Sequence, residues 1–376
     1  MAHLDTTSSL AIRLARVLCI TLMIGIHFAP GINTLLALPL TRLEHGLIWL
    51  VLDEFGRASV PLLSIVSGFL VTQAMSSGRA RTKILRSKLA RLGIPLLFWC
   101  SVSFVLLLAY SPAALQAALA QTDWLQRISW FTALTEMPAN TPLYFLRDLL
   151  VCNVVLLALW PLGKHAPALL LGVLLAVYVA AWGVNNLHLP MLPIFIKSRI
   201  FIFFLFGVAI SLFAKAPPRP AFWLIGIVYA AHLLDLWTGR SYLPQTLSDI
   251  LHRLAISMLM WRVCLSLATK PAVSHLLGRC EPYMFFMFCS HWIVTILYMR
   301  LLDHLGITDN DRVFLFLFLL NYPLSFVTAW LLQHMARHVP VARLLMTGKG
   351  PSRHRPTVLA HTAPASGTSE QELPSR

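Results

Sequence analysis

The first long apolar run of the chain, Leu10 to Phe28, is interrupted by two polar side chains whose types could do chemistry. Arg16 and His27 are eleven residues apart, a step of about three helical turns and about 16 Å, so both lie on one helix face. A neutral imidazole suits proton transfer near pH 7, and a guanidinium stabilises a polarised carbonyl. Charges inside spanning helices are costly and usually face a protein interior or a water-filled cavity. The spacing therefore predicts a reactive site along this face.

Further polar residues that could carry chemistry lie within or beside the later apolar runs. They are Arg86, Lys88, Arg147, Asp148, Arg199, His252, Arg253 and His291. The chain contains no Gly-rich phosphate loop, no nucleophile elbow and no paired-histidine metal helix. The six cysteines lack metal-ligand spacing, so neither a metal site nor a disulfide framework is predicted. Any catalytic chemistry is therefore expected within or beside the membrane.

The composition indicates which elements must position these residues. With 57% hydrophobic and 12% charged residues, the chain differs from soluble domains, in which about a quarter of residues are charged. Apolar windows of about 20 residues predict an all-α fold, a polytopic membrane bundle of about ten helices. The span centres are expected near residues 19, 65, 99, 154, 174, 206, 227, 257, 293 and 323.

Some segments depart from a simple apolar span. Polar residues between Asp249 and Arg262 interrupt the span near residue 257, which predicts that this helix packs inside the bundle. The approach to the second span, Glu44 to Arg57, is compatible with a short interfacial helix. The first apolar run is too long for a signal-peptide core, so we expect an uncleaved span. Residues 1–345 are predicted to form one transmembrane domain, and residues 346–376, rich in Pro, Ser and Thr, a disordered cytoplasmic tail.

The distribution of basic residues predicts the orientation of the chain. The loop from Arg79 to Arg91 holds six basic residues and no acid, whereas loops of the opposite parity hold most acids. Because Lys and Arg are enriched in cytoplasmic loops, both termini are predicted to be cytoplasmic. The net charge of +15 is spread over separate short loops, so no nucleic-acid partner is predicted. An anionic lipid or an anionic cofactor is a further candidate partner for the basic loop.

Five stretches of the chain, between about residues 10 and 335, form an ordered set of motifs. They are Arg16 with His27, the run Val60 to Leu70 containing Ser67 and Gly68, the basic segment Arg86-Ser87-Lys88 with Arg91 and Pro95, the segment Leu143 to Leu149, and Phe288-Cys289-Ser290-His291. Together they resemble the integral-membrane acyltransferases often called the acyltransferase-3 family. The chain departs from the family's pattern at Lys88, often an arginine, at Tyr144, often a tryptophan, and between Glu281 and Met284, where a serine is absent.

The resemblance implies a multi-pass O-acyltransferase of the bacterial inner membrane. Its donor would be cytosolic acyl-coenzyme A, with acetyl as the expected acyl group, and its acceptor a hydroxyl of an envelope or exported glycan or glycolipid. No permanently bound cofactor is implied, and a separate extracytoplasmic partner could complete the transfer. The catalytic assignments are His27, Arg16 and His291; the donor-binding assignments are Arg86, Lys88, Arg91, Ser67 and Gly68; the acceptor-binding assignments are Arg147, Asp148, Arg199, His252 and Arg253. His27 would act either as a general base or as a nucleophile.

Each assignment has a structural alternative. Arg16 could reach lipid headgroups with His27 at the far interface, and Ser67-Gly68 could be a packing site between helices. The basic loop could determine topology only, and the later polar residues could form a buried polar core. Arg147 and Asp148, being adjacent, point about 100° apart, so we expect partners on other helices rather than a mutual salt bridge.

Two other functional classes fit parts of the sequence. A transporter or flippase for a polar solute would also place His and Arg inside the membrane, but the sequence shows neither an inverted repeat nor paired Gly/Pro-broken helices. A membrane sensor or scaffold is less consistent with short loops and no additional soluble domain. Consumption of acetyl-coenzyme A in the presence of an envelope glycan would distinguish the enzyme from both.

Overall fold

The computed structural model describes residues 5–27, 48–110, 119–186, 195–214, 217–238, 245–306 and 311–349, together with Gly46 and Gln116. Within these residues the fold is all-α, as predicted. The helices are α1 (Thr6–Ile26), α2 (Ser59–Ser76), α3 (Arg81–Lys88), α4 (Ile94–Tyr110), α5 (Trp124–Thr132), α6 (Tyr144–His165), α7 (Pro167–Asn186), α8 (Ser198–Phe213), α9 (Phe222–Thr238), α10 (Gln245–Ala268), α11 (Pro271–His304), α12 (Asp311–His338) and α13 (Pro340–Thr347).

The predicted membrane spans coincide with apolar helices. Eight helical stretches in the described part of the chain are long and apolar enough to cross a membrane, and two shorter apolar helices occupy Ser198–Phe213 and Phe222–Ala231. Each of the ten predicted span centres falls within one of these stretches. The chain is therefore a multi-pass membrane protein, and the expected polytopic helical bundle is confirmed.

The segment that precedes α2 continues directly into it. Trp49–Gly56 is a wider, π-type helical segment, and Trp49 to Ser76 together form one candidate span. The part of the Glu44 to Arg57 approach that the structure describes is thus an extension of the second span rather than a separate interfacial helix. Residues 28–45 lie outside the described part of the chain.

Helix α1 occupies the centre of the bundle. It begins after Asp5, whose carboxylate accepts a hydrogen bond from the backbone N–H of Ser8 at 2.7 Å and so satisfies one of the free donors at the helix start. Along its length α1 packs against α2, α10, α11 and α12. These neighbours cover most of α1, although Arg13 near its start remains exposed.

Helices α2 and α8 cross with their backbones in contact. A Cβ added to Gly68 would overlap the carbonyl oxygen of Phe204, and one added to Gly207 would overlap that of Ile65. Small residues allow such close approach of membrane helices. Gly68 therefore packs α2 against α8. From the sequence it is predicted, together with Ser67, to bind the donor.

The two ends of the bundle differ in charge. We call the end that contains the start of α1, the α2–α3 connection and α13 the basic end, and the opposite end, where α1 finishes, the histidine end. At the basic end the folded chain extends through α13 to Lys349. The folded region thus runs past the predicted boundary at residue 345, while residues 350–376 lie outside the described part.

Candidate active site

A cavity of about 360 Å³ opens at the basic end of the bundle. It lies between α1, α2, α6 and α11, with the α3–α4 junction and the end of α13 at its mouth. The polar residues that line it are Arg16, Ser67, Ser87, Lys88, Arg91, Glu281, Thr347 and Lys349. Its remaining walls are apolar, including Ile20 of α1 and Phe288 of α11. The cavity therefore combines a charged mouth with an apolar interior.

The charges in the cavity are mostly positive. Arg16 Nη1 donates to Glu281 Oε1 at 3.2 Å, and Arg13 Nε lies 4.0 Å from the other carboxylate oxygen. At the mouth, partial burial of the ammonium group, followed by the positive charge of Arg91, lowers the pKa of Lys349, while Glu281 opposes that effect. Cations gathered around one carboxylate form a site suited to a polyanion.

The structure separates the predicted donor-binding residues. Lys88, Arg91 and Ser67 line the cavity, whereas Gly68 lies in the contact between α2 and α8. Arg86 is exposed on α3 and is not among the residues that line the cavity. The basic motif therefore contributes its later members to the cavity.

Two aromatic side chains form the inner end of the cavity. Phe145 of α6 and Phe288 of α11 both line it, and their ring centroids are 6.0 Å apart in an edge-to-face arrangement. The Phe288 ring centroid also lies 6.1 Å from that of His291. One aromatic side chain thus separates the cavity from His291.

The two predicted catalytic histidines lie side by side beyond this aromatic pair. His27 is the residue at which α1 ends, and its ring centroid lies 5.4 Å from that of His291. The ring of Trp292 approaches His27 edge-on at 6.0 Å. His27 and His291, which are 264 positions apart in the chain, therefore meet at the histidine end of α1. They are close enough for both to contact the same bound group.

The hydrogen bonds of His291 determine its tautomer. Its Nδ1 lies 2.7 Å from the carbonyl oxygen of Phe288 and 3.2 Å from that of Met287. Because a carbonyl oxygen only accepts, Nδ1 must carry the hydrogen, and a neutral ring then has its lone pair on Nε2. His291 is 0% exposed, and Nε2 has no hydrogen-bond partner among the described residues. A buried acceptor without a partner is what a general base presents before its substrate binds.

The expectation that Arg147 and Asp148 do not pair is wrong. Arg147 Nη1 donates to Asp148 Oδ1 at 2.8 Å, although the residues are adjacent, because the long arginine side chain bends back. Asp148 also accepts from the backbone N–H groups of Ile196 and Lys197, and Arg147 donates to the carbonyl of Leu134. The pair therefore joins α6 to the start of α8 and to the loop before α6.

The remaining predicted acceptor residues form a polar cluster at the histidine end of the bundle. The Asp249 carboxylate joins Arg199 of α8 at 2.5 Å and Arg253 of α10 at 2.8 Å. His252 Nε2 lies 2.6 Å from Glu54 Oε2, and Glu54 is only 4% exposed. Polar contacts from α10 to α8 and to the segment Trp49–Gly56 explain how an interrupted apolar helix is accommodated in the bundle.

Sequence reasoning missed two charged residues of the cavity, Glu281 and Lys349. Glu281 is an acid inside an apolar span, which usually indicates a basic partner on another helix, and that signal was available. Lys349 lies in a Gly-Lys-Gly stretch that resembles a linker, so nothing in the sequence pointed to it. Glu54 also escaped notice, since it lies in the ambiguous approach to the second span.

The chain is similar to known proteins over most of its length. A family model described as an acyltransferase domain matches residues 9–333. The chain is 27% identical over 356 residues to the succinoglycan biosynthesis protein ExoH of Rhizobium meliloti (strain 1021), an alignment that covers 87% of this chain and 86% of that protein. Among solved structures, none matches the chain.

Proposed function

The chain belongs to the family of integral-membrane acyltransferases, and from this premise we propose that it moves an acetyl group from cytosolic acetyl-coenzyme A to a glycan hydroxyl. The observation that carries the proposal is the cationic cavity whose inner end lies one aromatic side chain from the His27–His291 pair. Donor binding would thereby take place toward the basic end of α1 and acyl transfer at its histidine end.

The cavity suits a coenzyme A thioester in charge and in shape. Coenzyme A carries several phosphate charges on one end and the thioester on the end of a narrow arm. Arg16, Lys88 and Arg91 supply cations at the level where the phosphates would bind. The apolar inner walls suit the arm, and the thioester carbonyl would then pass Phe288 to reach the histidines. Acyl-coenzyme A would act as a substrate and not as a resident cofactor.

The same charges support an orientation for the bundle. The basic end would face the cytoplasm, where acyl-coenzyme A is found, because Lys and Arg are enriched in cytoplasmic loops. The histidine end would face the opposite side of a bacterial inner membrane. Similarity to a succinoglycan biosynthesis protein supports a polysaccharide as the acceptor class. Arg199, His252 and Arg253 would contact the acceptor from the polar cluster at that end.

The histidine pair supports two routes for the transfer. In the first, an imidazole nitrogen accepts the proton of the acceptor hydroxyl while the hydroxyl oxygen bonds to the thioester carbon. The C–S bond breaks, and the departing thiolate takes the proton to leave as coenzyme A. In the second, an imidazole nitrogen bonds to the thioester carbon as the C–S bond breaks to give the coenzyme A thiolate. The acceptor oxygen then displaces the imidazole from the acyl carbon, and the hydroxyl proton passes to the thiolate, which leaves as coenzyme A. Nε2 of His291 is a suitable atom to accept the proton in the first route or the acyl group in the second.

The proposed function is tested by measuring glycan acylation in cells and with purified protein. We expect mass spectrometry of envelope glycans to show loss of an acyl ester when the gene is deleted. Purified protein should release coenzyme A from acetyl-coenzyme A when that glycan is added. A reporter fused after Ala360 should report cytoplasm and one near Asp309 the opposite side. Unchanged glycans together with no release of coenzyme A would exclude the proposal.

Donor affinity is expected to depend on the basic residues that line the cavity. Lys88→Ala and Arg91→Ala should each raise the Michaelis constant for acyl-coenzyme A, since one charged hydrogen bond is worth about 1.5 to 3 kcal/mol. Arg86→Ala is the matched control, because Arg86 belongs to the same motif but does not line the cavity. Initial rates over a range of donor concentrations give the comparison. A larger effect at Arg86 than at Lys88 and Arg91 would contradict the assignment.

A further inference from the structure

We propose that the C-terminal segment Pro340–Lys349 closes one wall of the donor cavity and that Lys349 binds the phosphate groups of the thioester donor. The inference rests on the proposed function, because it names a further group in the same donor site. It concerns a segment that follows the last spanning helix and that the family match, which ends at residue 333, does not include.

The segment is held against the bundle by specific contacts. The indole Nε1 of Trp99 on α4 donates to the carbonyl of Met346 at 3.2 Å. Gly348 ends α13 with φ of +63°, a conformation that favours glycine, and a Cβ there would overlap the carbonyl oxygen of Ala90. Two independent features therefore fix the chain at the point from which Lys349 emerges.

The fixed backbone places the last residues of the segment in the cavity wall. Thr347 and Lys349 both line the cavity, and the Thr347 hydroxyl accepts a hydrogen bond from the backbone N–H of Lys349 at 3.2 Å. The same hydroxyl donates to the carbonyl of Arg343. The direction of the chain after α13 is thus set by a side chain that itself faces the cavity.

The charge around Lys349 points to an anionic ligand. Four cationic side chains line the cavity, namely Arg16, Lys88, Arg91 and Lys349, against the single carboxylate of Glu281 among the described lining residues. That carboxylate is already engaged by Arg16. Cations that crowd one another gain most from a ligand with several negative charges. Phosphate groups of a donor held at the mouth meet this requirement.

The position of Lys349 also matches the expected direction of the donor. Lys349 follows the last spanning helix, so it lies at the basic end, whereas Phe288 lies at the inner end of the same cavity. A donor with its phosphates at Lys349 and Arg91 would point its narrow arm toward Phe288. This arrangement leads the thioester toward His291.

The test is binding of coenzyme A and of pantetheine, which lacks the phosphates, to the purified full-length protein in detergent. Lys349→Ala should weaken coenzyme A binding about 10-fold to 100-fold, the range expected for one charged contact, and leave pantetheine binding nearly unchanged. Lys349→Arg should retain most of the affinity. Gly348→Val should lose affinity as Lys349→Ala does, because it displaces the segment.

The matched control is Lys164→Ala. Lys164 is exposed at the same end of the bundle and is not among the residues that line the cavity, so coenzyme A affinity should not change. If wild-type protein binds coenzyme A and Lys349→Ala binds it equally well, the inference is wrong while the proposed function stands. An equal loss of coenzyme A and pantetheine binding would overturn the phosphate assignment. Failure of the wild-type protein to bind coenzyme A would overturn the proposed donor itself.

Discussion

Replacing His27 with alanine is expected to abolish glycan acylation while the protein remains in the membrane at near-normal abundance. The reason is that His27 ends α1 beside His291, at 5.4 Å between ring centroids, where the proposed function would transfer a proton or an acyl group. Loss of a general base typically lowers a rate about 10²-fold to 10⁴-fold. Acylation is measured by mass spectrometry of the glycan, and abundance by immunoblotting of membranes.

Two further variants separate chemistry from structure at this position. His27→Gln keeps polarity and approximate size but cannot take up a proton, so it should be inactive as well. His334→Ala is the control, since His334 is an exposed histidine on α12 that is not among the cavity-lining residues, and it should retain activity. Robust acylation by His27→Gln would assign His27 a structural role. Arg16→Ala should instead weaken donor binding, because Arg16 lines the cavity at the level where the donor phosphates would bind, about 16 Å from His27 along α1.

His291→Asn is expected to lower the turnover number about 10²-fold to 10⁴-fold with little change in donor affinity. The asparagine amide nitrogen stands near the position of Nδ1, so it can still donate to the carbonyl of Phe288. The variant therefore keeps the hydrogen bond that orients the side chain and removes the atom Nε2. Steady-state kinetics of coenzyme A release, with donor binding measured in parallel, distinguishes the two effects.

The complementary variant is His291→Gln, whose amide group stands near the position of Nε2. It should also be inactive, because an amide is a poor base. If His291→Asn retains full turnover, the lone pair on Nε2 plays no part in the transfer and the histidine is a structural residue. A loss of folded protein in both variants would likewise indicate a structural role for His291. Thermal unfolding of the purified variants measures the stability of the folded state.

The sequence predicted the all-α bundle and the family because both depend on signals that are local in the chain. Ten apolar runs each specify one helix, and the five motifs that suggested the acyltransferase family are short. The family model confirms that resemblance. The spacing of Arg16 and His27 is likewise local, since a helix converts eleven residues into one face.

Features that depend on distant partners were not predictable in the same way. Arg16 meets Glu281 across 265 positions of the chain, and periodicity within α1 cannot name that partner. The error at Arg147 and Asp148 has a different cause: the angle between adjacent helical residues describes Cβ directions, whereas the arginine side chain is long enough to bend back to its neighbour. The position of Lys349 in the cavity depends on contacts of the folded segment before it. The Gly-Lys-Gly stretch resembles a linker, so those contacts could not be read from the sequence.

The backbone contact between α2 and α8 limits how this bundle can move. Because Gly68 meets Phe204 and Gly207 meets Ile65 without intervening side chains, sliding either helix by one residue would push a side chain into a carbonyl. Packed interfaces of this kind tend to shift as rigid bodies. Since α2 also carries Ser67 in the cavity wall, a rocking motion that opened the two ends of the bundle alternately would have to occur elsewhere. We therefore expect α2 and α8 to move together as one unit, whatever motion the other helices make.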